Sequence, residues 1–131
     1  LSQGPAGKTR LRGALWLQGE AESRSEELIA AYPAALADLV DRLRADLALP
    51  NLPFVAATVG EMRQDAATNA RLARVNAVLL DLPNHRPHTA CVDARDLDTH
   101  IGDFVHYDTA AQEEIGRRFA AAYLEVRRAR P

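Results

Sequence analysis

Three short apolar runs recur along the chain, each bounded by glycine, proline or polar residues. They cover residues 12–18, 53–60 and 89–94, and the third is rich in small and β-branched side chains. Apolar runs of this length between turn residues are typical of buried strands in a parallel sheet. The pattern therefore predicts three such strands.

Longer segments with helical periodicity follow each run. Apolar side chains recur every three or four positions over residues 25–47, and the same spacing returns over 69–82. Residues 108–128 form the clearest helix, with acidic residues early and basic residues late, as the helix dipole favours. Asp108 or Thr109 is placed to cap it.

Pro33 interrupts the first helical segment. Proline is tolerated in the first turn of a helix but costs about 3 kcal/mol in its interior, because it lacks an N–H and its ring crowds the preceding turn. We therefore expect a break or kink near Tyr32, with the long regular helix starting there.

The order strand, helix, strand, helix, strand, helix predicts an α/β fold. A parallel sheet flanked by helices on both faces makes a three-layer sandwich, and 131 residues suit a single domain. Three strands make a narrow sheet, and such sheets usually have more. We therefore expect sequence upstream of Leu1 to supply at least one or two further strands.

Composition and charge limit the classes of partner that the chain is expected to bind. Sixteen basic and eighteen acidic residues give a net charge of −2 with no long block of either sign, which argues against a nucleic-acid partner. No apolar run reaches the roughly 18 residues of a membrane span, so no membrane partner is expected. Cys91 has no second cysteine to pair with, and the chain starts at Leu1 without a methionine. These features do not indicate one cellular compartment over another.

Candidate chemistry lies just past the strand ends, where open α/β sheets carry their working residues. The predicted loops hold residues 18–20, 60–65 and 93–106. In the last loop, Asp103 stands three residues before His106. A carboxylate at this spacing accepts a hydrogen bond from the imidazole Nδ1 and leaves Nε2 available as a base.

Two motifs in this order resemble a known family. The sequence WLQGE at 16–20 and the sequence DFVH at 103–106 resemble the marks of the sialate O-acetylesterase-like (SASA) carbohydrate esterases, a branch of the SGNH hydrolases. The resemblance runs from about residue 11 to residue 126. It implies the flavodoxin-like SGNH hydrolase fold, with residues 1–131 as the C-terminal portion of one esterase domain.

The resemblance also implies roles for the matching residues. Asp103 and His106 would be the acid and base of a catalytic triad. Gln18 and Gly19 would lie on the active-site floor, where the Gln18 amide would help to form the oxyanion hole. Glu20 would brace the loop.

Other positions have weaker assignments. Trp16 is expected to support the site as a core or pocket-floor aromatic, and Arg63 is a possible substrate contact. Leu17 stands where many members of the family have histidine, and Glu22 where many have aspartate. These two departures concern the substrate side of the site and not the fold.

The nucleophile is expected outside this chain. The family carries its serine on a tight Gly-Gln-Ser-Asn turn near the start of the domain, and no such turn occurs here. Of the serines present, Ser2 precedes the first strand, while Ser23 and Ser25 follow it with hydroxyls that we expect to be exposed. Ser23 is a candidate cap for the first helix.

The resemblance implies a serine-type ester hydrolase that removes acyl groups, acetyl above all, from carbohydrates. Its partners would be an acetylated carbohydrate or another small acyl ester and the N-terminal segment of the same domain. This chemistry needs no cofactor. The alternative is a non-catalytic, degenerate carbohydrate-binding module of the same fold.

A crowded acidic stretch raises the hypothesis of a cation site. Its spacing fails the calcium loop of an EF-hand, since counting from Asp96 the required glycine and glutamate are Ile101 and Tyr107. The residues in question are Asp93, Asp96, Asp98, His100, Asp103, His106 and Asp108.

Overall fold

Strands and helices alternate along residues 10–129, which are the part of the chain that the computed structural model describes. A short 3-10 turn, Glu22–Arg24, precedes the first helix. The main elements in order are β1 (Ala14–Leu17), α1 (Glu26–Asp46), β2 (Phe54–Ala57), α2 (Ala66–His85), β3 (Thr89–Val92) and α3 (Thr109–Arg128).

The strands form one parallel sheet in the order β1-β2-β3. Their pairing has no stagger, since Leu17 lies opposite Ala57, which lies opposite Val92. The carboxyl ends of the strands therefore meet at one edge. The predicted α/β sandwich with a parallel sheet is confirmed.

The central strand shows how the layers are built. Successive side chains of a strand point to opposite faces. Phe54 and Ala56 pack with α1 and α2, whereas Val55 and Ala57 pack with α3, and all four are buried. Two helices thus cover one face of the sheet and one helix covers the other.

β1 is only half buried, so the prediction of a fully buried first strand is wrong. Leu15 is 59% exposed and Leu17 is 41% exposed. The reason is that β1 is an edge strand and α3 packs on β2 and β3. The face of β1 that carries these two leucines lacks a covering helix among residues 10–129.

The expectation that the long helix starts near Tyr32, after a break, is also wrong. α1 begins at Glu26, and the Ser25 hydroxyl caps it by accepting a hydrogen bond from the Leu28 N–H at 3.2 Å. Pro33 lies within the continuous helix at an exposed position. The carbonyl that loses its donor is that of Ile29, and the packing of Ile29, Tyr32 and Leu36 in the core keeps the helix continuous across it.

Both later helices begin at aspartate caps. Asp65 accepts from Ala67 N and Thr68 N, so α2 starts three residues before the predicted position. Asp108 accepts from Ala111 N at 2.9 Å, as predicted for α3. Among the helices described, none combines the length and apolarity that crossing a membrane requires.

A buried asparagine continues the hydrogen bonding of β2 beyond its last ladder bond. Asn76 of α2 is fully buried and pairs with both backbone groups of Val59: its Oδ1 accepts from Val59 N at 2.8 Å, and its Nδ2 donates to Val59 O at 2.9 Å. The same Nδ2 donates to Glu61. The start of the loop after β2 is therefore tied to α2.

Replacing Asn76 with alanine should lower the free energy of unfolding by about 2 to 4 kcal/mol, because two buried backbone groups of Val59 lose their partners. Asn84, an exposed residue near the end of the same helix that bonds to Asp81, provides the matched control. Its replacement by alanine should change stability by no more than about 0.5 kcal/mol. Urea unfolding of the two variants tests this, and equal losses would contradict it.

Candidate functional site

The loops that follow the three strands enclose one cleft at the carboxyl edge of the sheet. Gln18, Glu20, Arg63 and His106, all singled out from the sequence, line it together. The full lining comprises Leu17, Gln18, Glu20, Ala21, Ser23, Arg24, Arg63, Thr68, Arg71, Val105 and His106.

Asp103 and His106 form a tight pair beside this cleft. The Asp103 Oδ2 lies 2.5 Å from His106 Nδ1, and its Oδ1 accepts from the backbone N–H groups of Val105 and His106, each at 2.9 Å. The backbone and side chain of His106 hold the pKa of Asp103 well below its ordinary value, with help from the Val105 N–H. An ionised carboxylate only accepts, so Nδ1 carries the hydrogen and Nε2 is the basic nitrogen.

The loop that carries the pair is closed at its base and exposed at its tip. His100 and Tyr107 form an antiparallel bridge, and the Ile101 N–H donates to the His106 carbonyl at 3.1 Å. Tyr107 is buried, and its hydroxyl donates to the Ala94 carbonyl at 3.3 Å. The core thus fixes where the loop starts and ends, while His106 itself stays two-thirds exposed, with a side-chain exposure of 66%.

N–H groups of the loop after β1 donate hydrogen bonds to carboxylates of the same segment. The Gln18 Nε2 donates to Glu22 at 2.7 Å, and the Gly19 N–H donates to the Glu20 carboxylate at 3.1 Å. Burial raises the pKa of Tyr32 to about 12, and its hydroxyl donates to the Gln18 carbonyl at 3.1 Å. The two N–H groups expected on the site floor therefore each have a carboxylate partner, although the Gln18 amide has a second N–H.

Glycine is required at position 19. Its φ of +150° is rare for residues with a side chain. A Cβ placed there would lie 2.8 Å from a Val75 methyl carbon. The glycine of the WLQGE motif thus lets the chain turn directly over α2.

Trp16 belongs to the core side of β1 and does not line the cleft. Its ring centroid lies 6.3 Å from that of Phe54, within the cluster that α1 and α2 cover. Its Nε1 is buried on that side of the sheet. Of the two alternatives, core or pocket floor, the structure supports the core.

The serines differ from expectation in two respects. Ser23 is buried, with 3% of its surface exposed, and its hydroxyl donates to the Glu20 carbonyl at 2.8 Å, so the expected free hydroxyl is wrong. The cap of α1 is Ser25 and not Ser23, because the 3-10 turn intervenes. Ser2 lies outside the described residues.

The acidic stretch that raised the cation hypothesis is divided among separate partners. Asp93 pairs with Arg95 and Asp96 pairs with Arg118, each with a closest contact of 2.6 Å. Asp108 caps α3. Within residues 10–129, no three acidic, histidine or cysteine side chains converge as metal ligands would.

Arg71 and Thr68 line the cleft but were not singled out from the sequence. The Arg71 guanidinium donates to the Ser23 carbonyl at 2.7 Å and to the Thr68 hydroxyl at 2.9 Å. Both residues sit in the first turns of α2, one turn apart. Their spacing of three, directly after a strand-end loop, was the available signal.

Arg63 connects the loop after β2 with the loop after β3. Its Nη1 donates to the Phe104 carbonyl at 2.7 Å. Its own backbone is held by Asn69, whose Oδ1 accepts from Arg63 N and whose Nδ2 donates to Arg63 O, both at 2.9 Å. The guanidinium thus reaches the turn that carries Asp103 and His106.

Comparison with known proteins identifies relatives of this chain. A relative from Arabidopsis thaliana, described as a probable carbohydrate esterase, is 30% identical over 114 residues, which cover 87% of this chain and 40% of the relative. The crystal structure of that Arabidopsis protein, at 1.6 Å resolution, matches with a TM-score of 0.76 at 28% identity, covering 88% of this chain and 45% of the solved one.

The chain therefore spans less than half the length of the relative that it matches. A family model described as "Carbohydrate esterase, sialic acid-specific acetylesterase" matches residues 3–125, nearly the whole sequence. The match includes every element of the sheet and the cleft at its carboxyl edge. The chain belongs to this SASA family of carbohydrate esterases.

Proposed function

We propose that this chain supplies the acid and base of a serine-type ester hydrolase that removes acyl groups, acetyl above all, from carbohydrates. The observation that carries the proposal is the 2.5 Å contact between Asp103 and His106 Nδ1 beside a cleft lined by Gln18. Membership in a carbohydrate esterase family supports it.

In the proposed reaction, a serine hydroxyl attacks the ester carbonyl while His106 Nε2 takes its proton. Asp103 stabilises the imidazolium that forms. His106 then returns the proton to the departing sugar oxygen, and a water molecule, activated in the same way, releases the carboxylic acid from the acyl-serine. The lowered pKa of Asp103 keeps its charge present throughout the pH range in which histidine acts as a base.

Gln18 is the proposed oxyanion donor. One hydrogen of its Nε2 is used by Glu22, and the other is available for the developing negative charge. Glu22 would fix the orientation of the amide, and Tyr32 would hold the Gln18 backbone. A preorganised donor of this kind typically contributes 100- to 1000-fold in rate.

The nucleophile is proposed to come from sequence outside residues 1–131. Ser23 is buried and Ser25 caps α1, so both hydroxyls already serve the local structure. Among residues 10–129, no strand pairs with the edge of β1 that faces away from β2, and a further strand would pair there. A parallel strand there would bring its carboxyl end beside Gln18 and the cleft.

In the complete protein, replacing His106 with alanine should lower kcat/KM for an aryl acetate by roughly 1000-fold or more, because the base is lost. His85 offers a matched control, since it is also exposed and lies 2.7 Å from a carboxylate, that of Asp81. Its replacement by alanine should leave the rate unchanged. Steady-state kinetics decide the matter, with circular dichroism to check folding, and wild-type turnover by the His106 variant would refute the proposal.

Replacing Asp103 with asparagine should also change how stability depends on pH. A carboxyl group whose pKa is lowered by folding stabilises the folded state above its ordinary value of 3.8 and loses this contribution as the pH falls toward the folded value. The stability difference between wild type and Asp103→Asn should therefore be larger at pH 5 than at pH 3. Guanidinium unfolding at both pH values measures this stability difference. A difference that grows on acidification would contradict the lowered pKa of Asp103.

A fluorophosphonate probe should label the complete protein at a serine outside residues 1–131, because only an activated serine reacts with it. Mass spectrometry of the digested protein locates the label. Labelling of Ser23 or Ser25 would show that the nucleophile lies within residues 1–131, against the proposal. Absence of any labelled serine would favour the non-catalytic carbohydrate-binding module.

A further inference from the structure

We propose that Arg63 is a positioning residue, which holds the turn carrying Asp103 and His106 in its working conformation. This inference rests on the proposed function, in which His106 is the base. It replaces the expectation that Arg63 serves as a substrate contact. The Arg63 guanidinium donates a hydrogen bond to the Phe104 carbonyl, and the proposed role depends on this bond.

That bond joins two loops that are 41 residues apart in sequence. At 2.7 Å from a charged donor, it belongs to the stronger class of hydrogen bonds. Phe104 lies between Asp103 and His106 in the turn. A hydrogen bond to its carbonyl therefore restrains the backbone that carries Asp103 and His106.

Phe104 needs such support, because its backbone is in an unfavourable conformation. Its φ is +59°, in the left-handed region that residues with a side chain seldom adopt. The ring packs on His100 with 4.3 Å between centroids, and Asp103 accepts from the two residues that follow Phe104. Arg63 bonds to the carbonyl of the peptide between Phe104 and Val105, and the N–H of that peptide bonds to Asp103.

Arg63 is itself held rigidly enough to serve this purpose. Asn69 bonds to both its N–H and its carbonyl, and Asn69 belongs to the first turn of α2, which Asp65 caps. The chain of contacts therefore runs from α2 through Arg63 to Phe104 and then to His106. A residue that only binds substrate would not need this bond to the turn that carries Asp103 and His106.

The first test is Arg63→Met in the complete protein, assayed with 4-nitrophenyl acetate, a neutral substrate that makes no demand on a cationic contact. We expect kcat to fall roughly 10- to 100-fold with KM within about twofold, because the base is misplaced while binding is retained. Arg74→Met is the control. Arg74 is exposed, pairs with Glu26 and lies outside the cleft, so this variant should keep wild-type values.

The second test is rescue. Asparagine adopts the left-handed conformation more readily than phenylalanine, so Phe104→Asn should reduce the need for Arg63. The double variant Arg63→Met, Phe104→Asn should therefore have a kcat at least about threefold above that of Arg63→Met alone. A double variant no better than Arg63→Met would count against a positioning role.

A rise in KM with unchanged kcat in Arg63→Met would overturn the proposal in favour of substrate contact, and so would wild-type values of both. If Arg63→Met does not fold, Arg63→Lys decides: we expect faster hydrogen exchange at the Val105 and His106 amides and a kcat at least about threefold lower. Wild-type exchange and kcat would overturn the proposal.

The two proposals fail in different ways. An inactive His106→Ala beside a fully active Arg63→Met would remove only the positioning role. A fully active His106→Ala would remove the proposed function itself.

Discussion

The parallel, unstaggered pairing of the three strands is the constraint on which the site depends. Because Leu17, Ala57 and Val92 lie opposite one another, the three loops that follow them leave the sheet at the same edge. A slip of one residue would turn every side chain of a strand to the opposite face and move its loop. Burial of all four residues of β2 opposes such a slip, since both faces are packed against helices.

The cleft combines local and long-range order. The Asp103 carboxylate organises its own turn, with three bonds to groups no more than three residues away. Such a turn could form in many orientations relative to the sheet. Its orientation comes from contacts distant in sequence, namely Tyr107 to Ala94 and Arg63 to Phe104.

Charged side chains order the loops around the cleft. Glu20 and Glu22 accept from the N–H groups of the loop after β1, while Arg63 and Arg71 donate to carbonyls of neighbouring loops. Glu20, Arg63 and Arg71 thereby fix backbone at the rim, and Glu22 fixes the Gln18 side-chain amide. The loops around the exposed His106 are thus held by charge-assisted bonds at the rim, while the buried Tyr107 holds the base of the loop that carries His106.

Much of this molecule follows from sequence pattern. Periodicity located the three strands and three main helices of residues 10–129, and aspartate at position 108 marked the start of α3, because these features depend on neighbours in the chain. The WLQGE and DFVH motifs indicated the family, and the spacing of Asp103 and His106 was enough to predict their contact. Their catalytic roles remain a proposal.

The remaining features depended on tertiary structure. The exposure of Leu15 and Leu17 is decided by which strands α3 covers, and the tolerance of Pro33 by the core packing of α1 on either side of it. The burial of Ser23 is decided by the packing of its 3-10 turn against α2. Arg63 reaches Phe104 only because two loops leave the sheet side by side. The sequence by itself determined the elements and the local Asp-His turn, since these depend on residues a few positions apart, whereas burial, exposure and contacts between loops required the packed sheet that brings distant residues together.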